Sequence, residues 1–250
     1  MNEVTMGDVR EYLSSGCLVQ DYAEFSETPL DTVVDRIINF RQLNVEDFND
    51  KGSHHDFYSK SKTYIYDLLS AHSDMEGPKR KINAFLPGVL DNIKEHSGKK
   101  FLEFGGGIGD ICQIMSEWGG KDVTYMDIDT HISEFARWRF KKYNVPMNVK
   151  IIPQDSFTLD EQYDFIYQDA VLEHLTPEQQ VSYNVKLAKH TTIGGIFVMI
   201  VDLSGAHDDM PMHYNVDIVE VHDAIETAGL RCIRGQYTFA SVWTREEIKV

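Results

Sequence analysis

The sequence predicts an α/β fold: a mainly parallel, seven-stranded sheet with helices on both faces, a last strand that runs antiparallel, and a helical N-terminal cap. Three observations predict it. From about residue 100 onward, short apolar runs alternate with amphipathic stretches of helical length, the pattern of successive strand–helix–strand units. The final two apolar runs, near 230–235 and 237–243, follow one another with no room for a helix, so their strands pair antiparallel. Residues 1–97 carry helical periodicity and breakers but no strand alternation, which marks them as a cap or lid on a domain of 98–250.

In the cap, Thr28-Pro29-Leu30-Asp31 reads as a helix start, with Thr28 as cap, proline in the first turn and an acid behind it. Val33, Val34, Ile37, Ile38 and Arg41 continue at helical spacing. The polar break Asn49–Ser53 separates this from a second helix over roughly 56–71, rich in tyrosine (Tyr58, Tyr64, Tyr66). Gly77-Pro78 breaks the chain again before a third helix, roughly 79–96, that leads to Ser97-Gly98.

In the sheet domain, the first strand ends in a run of glycines. Ile111, Ile114, Met115 and Trp118 then form one face of the first helix, and Gly119-Gly120 resets the chain. Strand two is Asp122–Met126, ending in Asp127-Ile128-Asp129, and a largely apolar helix follows over 131–144. Strand three is Asn148–Ile152 and strand four Tyr163–Tyr167. Thr176-Pro177-Glu178-Gln179 caps the next helix, to about 190. Gly194-Gly195 introduces the apolar fifth strand, Ile196–Val201. A polar loop over 203–213 and a helix over about 215–228, closed by Gly229, lead to the final pair.

At 250 residues, 42% hydrophobic and 26% charged, the chain has the make-up of one globular α/β domain with a smaller appendage. Its 24 basic and 40 acidic residues leave a formal charge of −16, which repels phosphate backbones and anionic membrane surfaces alike. The densest basic run, Lys79-Arg80-Lys81, is short, so neither a nucleic acid nor a membrane is an expected partner. Cys17, Cys112 and Cys232 are scattered without metal-ligand spacing and read as reduced core thiols. With no basic-then-apolar leader and no apolar run long enough to span a bilayer, a cytoplasmic location is expected.

The stretch Phe101-Leu102-Glu103-Phe104-Gly105-Gly106-Gly107-Ile108-Gly109-Asp110 carries the functional signal. Glycines between strand and helix let backbone approach a ligand, and the helix N-terminus offers N–H groups. A dinucleotide fingerprint counted from Gly105 requires a glycine where Asp110 stands, so that pattern fails. What is present is Glu-x-Gly-x-Gly-x-Gly, from Glu103 through Gly105, Gly107 and Gly109. It resembles the first motif of the class I, Rossmann-like S-adenosylmethionine-dependent methyltransferases, whose glycine loop lies under the methionine part of the cofactor. Tyr163–Tyr167 with Val171-Leu172-Glu173-His174-Leu175 resembles that family's fourth motif and the segment after it, so the likeness covers roughly 100–201.

The resemblance implies S-adenosyl-L-methionine as cofactor and assigns roles by strand end. Asp127, 22 residues after Gly105, is suited to accept from the ribose hydroxyls. Asp155 and Ser156, after strand three, match the position that meets the adenine amino group, and Gln168, after strand four, the position at the methionine end. For the acceptor, a general base near neutral pH points to histidine. His174 follows strand four, where it either reacts or only packs, and His207 and His213 lie in the loop after strand five. That loop reads in three ways: a polar connection, a substrate loop in which His and Asp209 polarise a hydroxyl, or a metal site, of which the metal reading is not adopted. Tyr64, with Tyr58, Tyr66, His54 and His55, either closes the pocket or packs the cap. The resulting expectation is methyl transfer to a small molecule, oxygen first and nitrogen or carbon open, with a homodimer one permitted arrangement. Its rivals are an aminopropyltransferase-like enzyme, a non-catalytic cofactor-binding scaffold subunit and, disfavoured by Asp110 and the antiparallel finish, a nicotinamide dehydrogenase.

Overall fold

Apolar and β-branched runs of five to ten residues build most of a single sheet in the computed structural model, which describes residues 5–85 (backbone only over 81–85), 99–117 and 122–246. Its strands are β1 (Lys100–Phe104), β2 (Asp122–Ile128), β3 (Asn148–Ile152), β4 (Tyr163–Asp169), β5 (Thr191–Ile200), β6 (Arg231–Arg234) and β7 (Ala240–Thr244). They lie in the order β3-β2-β1-β4-β5-β7-β6. Pairing is parallel from β3 through β5, and β7 runs antiparallel between β5 and β6. The architecture read from the sequence, including the reversed last strand, is the one observed. The chain steps outward from β1 to β3, then returns to place β4 on the other side of β1. The carboxyl ends of β1 and β4 therefore flank the crevice where an open sheet of this kind binds its ligand.

Among the described residues seven α-helices precede the sheet: α1 (Met6–Ser15), α2 (Cys17–Phe25), α3 (Leu30–Ile38), α4 (Phe40–Lys51), α5 (His54–Lys60), α6 (Ile65–His72) and α7 (Glu76–Phe85). Four more alternate with the strands: α8 (Asp110–Glu117), α9 (His131–Lys142), α10 (Pro177–Lys189) and α11 (Ile218–Thr227). Thr176 caps α10 through the foreseen capping box with Gln179. Leu102, Phe104, Ile166, Phe197 and Trp243 pack on one face of the sheet, and Phe101, Val123, Tyr125 and Tyr167 on the other. A third cluster joins the cap to the sheet domain, since Leu18, Val33, Ile65 and Leu69 share it with Ile108, Ile132 and Phe135.

Several boundaries differ from the reading by periodicity. α1 and α2 were not foreseen: α1 is largely polar, α2 is a mostly apolar nine-residue stretch, and both are only two to three turns long, too short for periodicity to mark a helix. Thr28 does not cap α3; its hydroxyl bonds the Ser26 carbonyl and Pro29 takes the cap position. The helix expected to reach Arg41 stops at Ile38, and α4 starts from Phe40. The helix expected over 56–71 is two, because the Ser61 hydroxyl accepts from the N–H groups of Thr63 and Tyr64, both at 3.1 Å, and turns the chain between α5 and α6. Gly194-Gly195 lies inside β5, not ahead of it. The expected helix of 79–96 is described only as far as Phe85; its remainder, Ser97-Gly98, Trp118 and Gly119-Gly120 lie outside the described residues.

Candidate active site

The glycine loop is tied to β2 before any ligand is considered. The N–H groups of Gly105 and Gly106 donate to the Met126 carbonyl at 2.8 and 3.2 Å. Gly107 donates its N–H to Asp127 Oδ2 at 2.7 Å, and its carbonyl accepts from the Tyr125 hydroxyl at 2.8 Å. Two of the predicted glycines are required for packing as well as for their backbone angle. At Gly105 (φ +70°) a Cβ would lie 2.4 Å from Val171 Cγ2, and at Gly109 (φ +74°) 2.5 Å from Phe140 Cζ. Glu103 is buried, and its Oε2 accepts from the Cys112 N–H at 2.9 Å, which draws the start of α8 onto β1. Burial, with Asp110 nearby, pushes its carboxyl well above the usual range.

A cavity of about 180 Å³ opens over this loop. From the sheet it is lined by Gly105–Ile108, Asp127, Ile128, Ile152 and Gln154, with Tyr183 beside Gln154, and after β4 by Asp169–Val171 and His174. The cap closes it with Tyr58, Tyr64, Leu68 and His72. Of the predicted cofactor residues, Glu103, Gly105, Gly107 and Asp127 stand in this wall. Asp127 is half-buried; burial raises its carboxyl to about 6 against the N–H bonds from Gly107 and Ile128.

Other sequence-predicted residues are placed elsewhere. Asp155 and Ser156 are exposed and off the wall, and Gln154 stands there instead, its Oε1 buried without a hydrogen-bond partner among the described residues. Gln168 is fully buried beside Phe104 and Met199, because alternation along β4 turns it to the opposite sheet face from Tyr167 and the wall residue Asp169. His207 and Asp209 are exposed: the turn closed by Met210 N–H to the His207 carbonyl at 2.9 Å faces solvent, and Asp209 pairs with Arg41 at 3.4 Å. His213 is buried behind the wall, its ring 5.0 Å from that of His174 and its Nδ1 3.8 Å from Asp202. Of the residues predicted for the site in the 203–213 loop (His207, Asp209 and His213), only His213 is brought close to a cavity-wall residue, His174. Among the described residues no group of three or more His, Cys, Asp or Glu side chains is placed to hold a metal.

Tyr64 and His174 meet in the wall. The Tyr64 hydroxyl lies 2.9 Å from His174 Nε2, and His174 Nδ1 bonds the Tyr58 hydroxyl, which donates to the Met212 carbonyl at 2.9 Å. Since Tyr58 gives its single proton to Met212, His174 donates from Nδ1 and accepts from Tyr64 at Nε2. Burial, then the neighbouring His213 and His54, holds the imidazole well below its ordinary value, so it is neutral. The chain cap–Tyr64–His174–Tyr58–loop spans three segments distant in sequence.

Two buried ionic groups were not legible in advance. His72 of α6 pairs through Nδ1 with Asp110, the first residue of α8, and both line the cavity. Burial pushes Asp110 up, but His72, Arg139 and the Ile111 N–H outweigh it and hold the carboxylate below its usual range. Arg139 of α9 is fully buried beneath the loop, donating to the Ile108 carbonyl and to Gln113 Oε1, each at 2.8 Å, with Asp21 of α2 at 3.4 Å from its Nε. Asp21 also takes Lys142 at 2.8 Å and the Tyr143 hydroxyl at 2.7 Å, which fastens the cap to α9. A buried aspartate and a buried arginine look in sequence like any surface pair.

Comparison with known proteins agrees with this geometry. Residues 102–197 match a family model described as a methyltransferase domain. Over 158 residues, 62% of this chain, the sequence is 27% identical to the probable S-adenosyl-L-methionine-dependent methyltransferase TehB of Haemophilus influenzae. The chain spans about half the length of the curated relatives it matches, 49% in this case. Among solved structures, the PH0226 protein of Pyrococcus horikoshii superposes with a TM-score of 0.58 at 12% identity, covering 74% of this chain and all of that one. Magnesium protoporphyrin IX methyltransferase of Synechocystis, solved with bound S-adenosylmethionine, gives 0.50 at 14% identity over 83% of this chain and 97% of its own. No described helix is long and apolar enough to cross a membrane. The fold is that of the class I S-adenosylmethionine-dependent methyltransferases.

Proposed function

From a class I methyltransferase fold whose cavity is shared by the glycine loop and the cap, we infer that this chain binds S-adenosylmethionine and methylates a small molecule. One observation carries the reading: the same enclosed space is walled by Gly105–Ile108 and Asp127 on one side and by Tyr58, Tyr64 and His174 on the other. The residues present suit the cofactor. Asp127 offers a carboxylate for two ribose hydroxyls, the unpartnered Gln154 Oε1 an acceptor for an adenine amino group between Ile128 and Ile152, and the acidic wall suits a sulfonium cation. Related proteins named as methyltransferases, one of them solved with this cofactor, support the assignment. When bound, the cofactor supplies an electrophilic methyl group on sulfur.

This chain's own residues orient the acceptor, exclude water and receive a proton. Oxygen remains the favoured acceptor atom, but the base moves from the 207–213 loop to the wall. An acceptor hydroxyl that reaches Tyr64 passes its proton to the phenolic oxygen as Tyr64 gives its own to His174 Nε2, so neither a free phenolate nor a charged base is needed beforehand. Residues 1–97 act as the acceptor-side cap of the 98–250 domain, and the acceptor is met in the cytoplasm.

A second reading has one observation behind it. The described cavity wall holds four carboxylates (Glu103, Asp110, Asp127, Asp169) and no Lys or Arg, which would also suit a decarboxylated cofactor and a polyamine, as in aminopropyl transfer. Calorimetry with S-adenosylmethionine, its decarboxylated form and NAD separates the readings. Binding of the first is the expected result, preference for the second supports aminopropyl transfer, and binding of NAD alone sinks both.

A further inference from the structure

The glycines of the loop after β1 do not face the same way. A side-chain carbon built on Gly105 would collide with Val171, on Gly106 with Tyr125 and on Gly109 with Phe140, at 2.4, 2.5 and 2.5 Å. The protein itself fills the space beside these three. Gly107 differs: a carbon built there would meet Leu68 Cδ1 at 3.6 Å, an ordinary van der Waals distance, and no other described atom beyond its chain neighbours within 4 Å. The loop thus turns one open face toward the cap, and the gap between Gly107 and α6 is one carbon thick. Leu68 is fixed from behind, since it packs against the cluster that holds Ile65, Leu69, Ile108 and Ile132. Along α6 it stands between Tyr64, the N-cap residue, and His72, and all three line the cavity at four-residue spacing.

The chemistry of the cofactor puts its reacting centre in this gap. In S-adenosylmethionine only the C5′ methylene separates sulfur from the ribose ring. Asp127 accepts the Gly107 N–H at 2.7 Å, so a ribose held by that carboxylate leaves sulfur beside Gly107, whichever way the amino-acid arm runs. The group to be transferred must then point toward an acceptor at Tyr64 and His174, one turn of α6 from Leu68. It passes under the Leu68 side chain to do so. We propose that Leu68 determines which alkyl group the cofactor's sulfur can carry: the gap it leaves over Gly107 takes a methyl group and rejects a longer one. This rests on the cofactor reading above and deepens it. The cap then selects what is transferred as well as closing the cavity, and its leucine offers the sulfonium carbon no nucleophile on that side.

The test compares three ligands that differ only in what sulfur carries: S-adenosylhomocysteine with no alkyl group, S-adenosylmethionine with methyl and S-adenosylethionine with ethyl. Their affinities are measured by calorimetry for the unaltered chain, Leu68→Ala and Leu68→Val. In the unaltered chain the ethyl compound is expected to bind about tenfold or more weakly than the methyl one, the usual cost of an extra methylene in a filled pocket. Leu68→Ala should bring that ratio to about threefold or less, chiefly because the ethyl compound gains, with S-adenosylhomocysteine changed by less than about threefold. Leu68→Val, which keeps the apolar contact, should fall between, and it carries the comparison where the alanine variant folds poorly. Equal affinity of the methyl and ethyl compounds in the unaltered chain overturns the proposal. So does a ratio that both substitutions leave unchanged, which would make Leu68 a packing residue; with S-adenosylhomocysteine still bound, the cofactor reading survives either result. If the unaltered chain binds none of the three, the cofactor reading falls and the role of Leu68 with it.

Discussion

Asp127 accepts the Gly107 N–H at 2.7 Å, so the carboxylate suited to the ribose also holds the glycine loop in shape. Its two tasks fall on different oxygen lone pairs and are separable by experiment. Asp127→Ala is expected to cost about a hundredfold in S-adenosylhomocysteine affinity by calorimetry, and about 1–3 kcal/mol in stability from the stranded Gly107 N–H. Asp127→Asn, which keeps one acceptor, should recover most of the stability and little of the affinity. Because burial raises this carboxyl to about 6, affinity should also weaken as pH falls below that value, where the acceptor oxygens become protonated.

Tyr64→Phe and His174→Gln test the relay. Each is expected to lower turnover about a hundredfold or more, while cofactor affinity stays within about threefold, since neither side chain is assigned a cofactor contact. The double variant should lose no more than either single one, because the two groups handle one proton. Additive losses in steady-state assays would show that they act separately.

His207→Ala and Asp209→Ala should leave cofactor affinity and turnover unchanged. Both residues face solvent, and the Arg41–Asp209 pair is more than 60% exposed on each side, so stability should change by no more than about 1 kcal/mol. A large activity loss in either variant would place the 203–213 turn over the cavity during turnover.

Glu173 provides the pH dependence. It is 1% exposed, and burial, chiefly, raises its carboxyl to about 8 despite the Asp202 N–H at 3.2 Å. A carboxyl whose folded value lies above its unfolded one binds more protons in the folded chain, so its contribution to stability declines as pH rises from about 4.5 to about 8. Asp67 and Asp127, each raised to about 6 chiefly by burial, act in the same direction below that pH. Glu173→Gln, neutral throughout, should therefore flatten the slope of stability between pH 6 and 8 in urea titrations and cost little at pH 6.

Asp21→Ala should be the most damaging substitution in the cap. It leaves the Arg139 guanidinium, 1% exposed, without its carboxylate and releases Lys142 and the Tyr143 hydroxyl. A loss of about 3–5 kcal/mol is expected, read from the urea midpoint. Asp21→Asn, which keeps hydrogen-bond acceptance, should lose less.

The contrast between what was foreseen and what was not follows the range of the interactions. Strands β1 to β5, α9 and α10, and the reversed finish were legible because two-residue and 3.6-residue periodicities record burial locally. The first two helices of the cap were not, because α1 is largely polar and the mostly apolar stretch of α2 is too short for its periodicity to distinguish helix from strand. Glycines and strand-end acids were legible at β1 and β2, yet at β3 and β4 the reading fell one residue from the wall, on Asp155 instead of Gln154 and on Gln168 instead of Asp169. A one-residue slip along a strand or its terminal turn reverses a side chain, and only the sheet's register decides which side faces the cavity.

The sequence by itself determined the fold class and singled out the glycine loop after β1 and Asp127 at the end of β2, because each depends on residues within one or two adjacent elements; the hydrogen bond that ties the two together came only with the structure. Only the tertiary structure decided which groups share a site. Tyr64 meets His174 across 110 positions, Tyr58 meets His174 across 116, and His72 meets Asp110 across 38. No spacing rule relates such residues. They are brought together because the cap buries its apolar face on Ile108, Ile132 and Phe135, and that burial is a property of the whole chain.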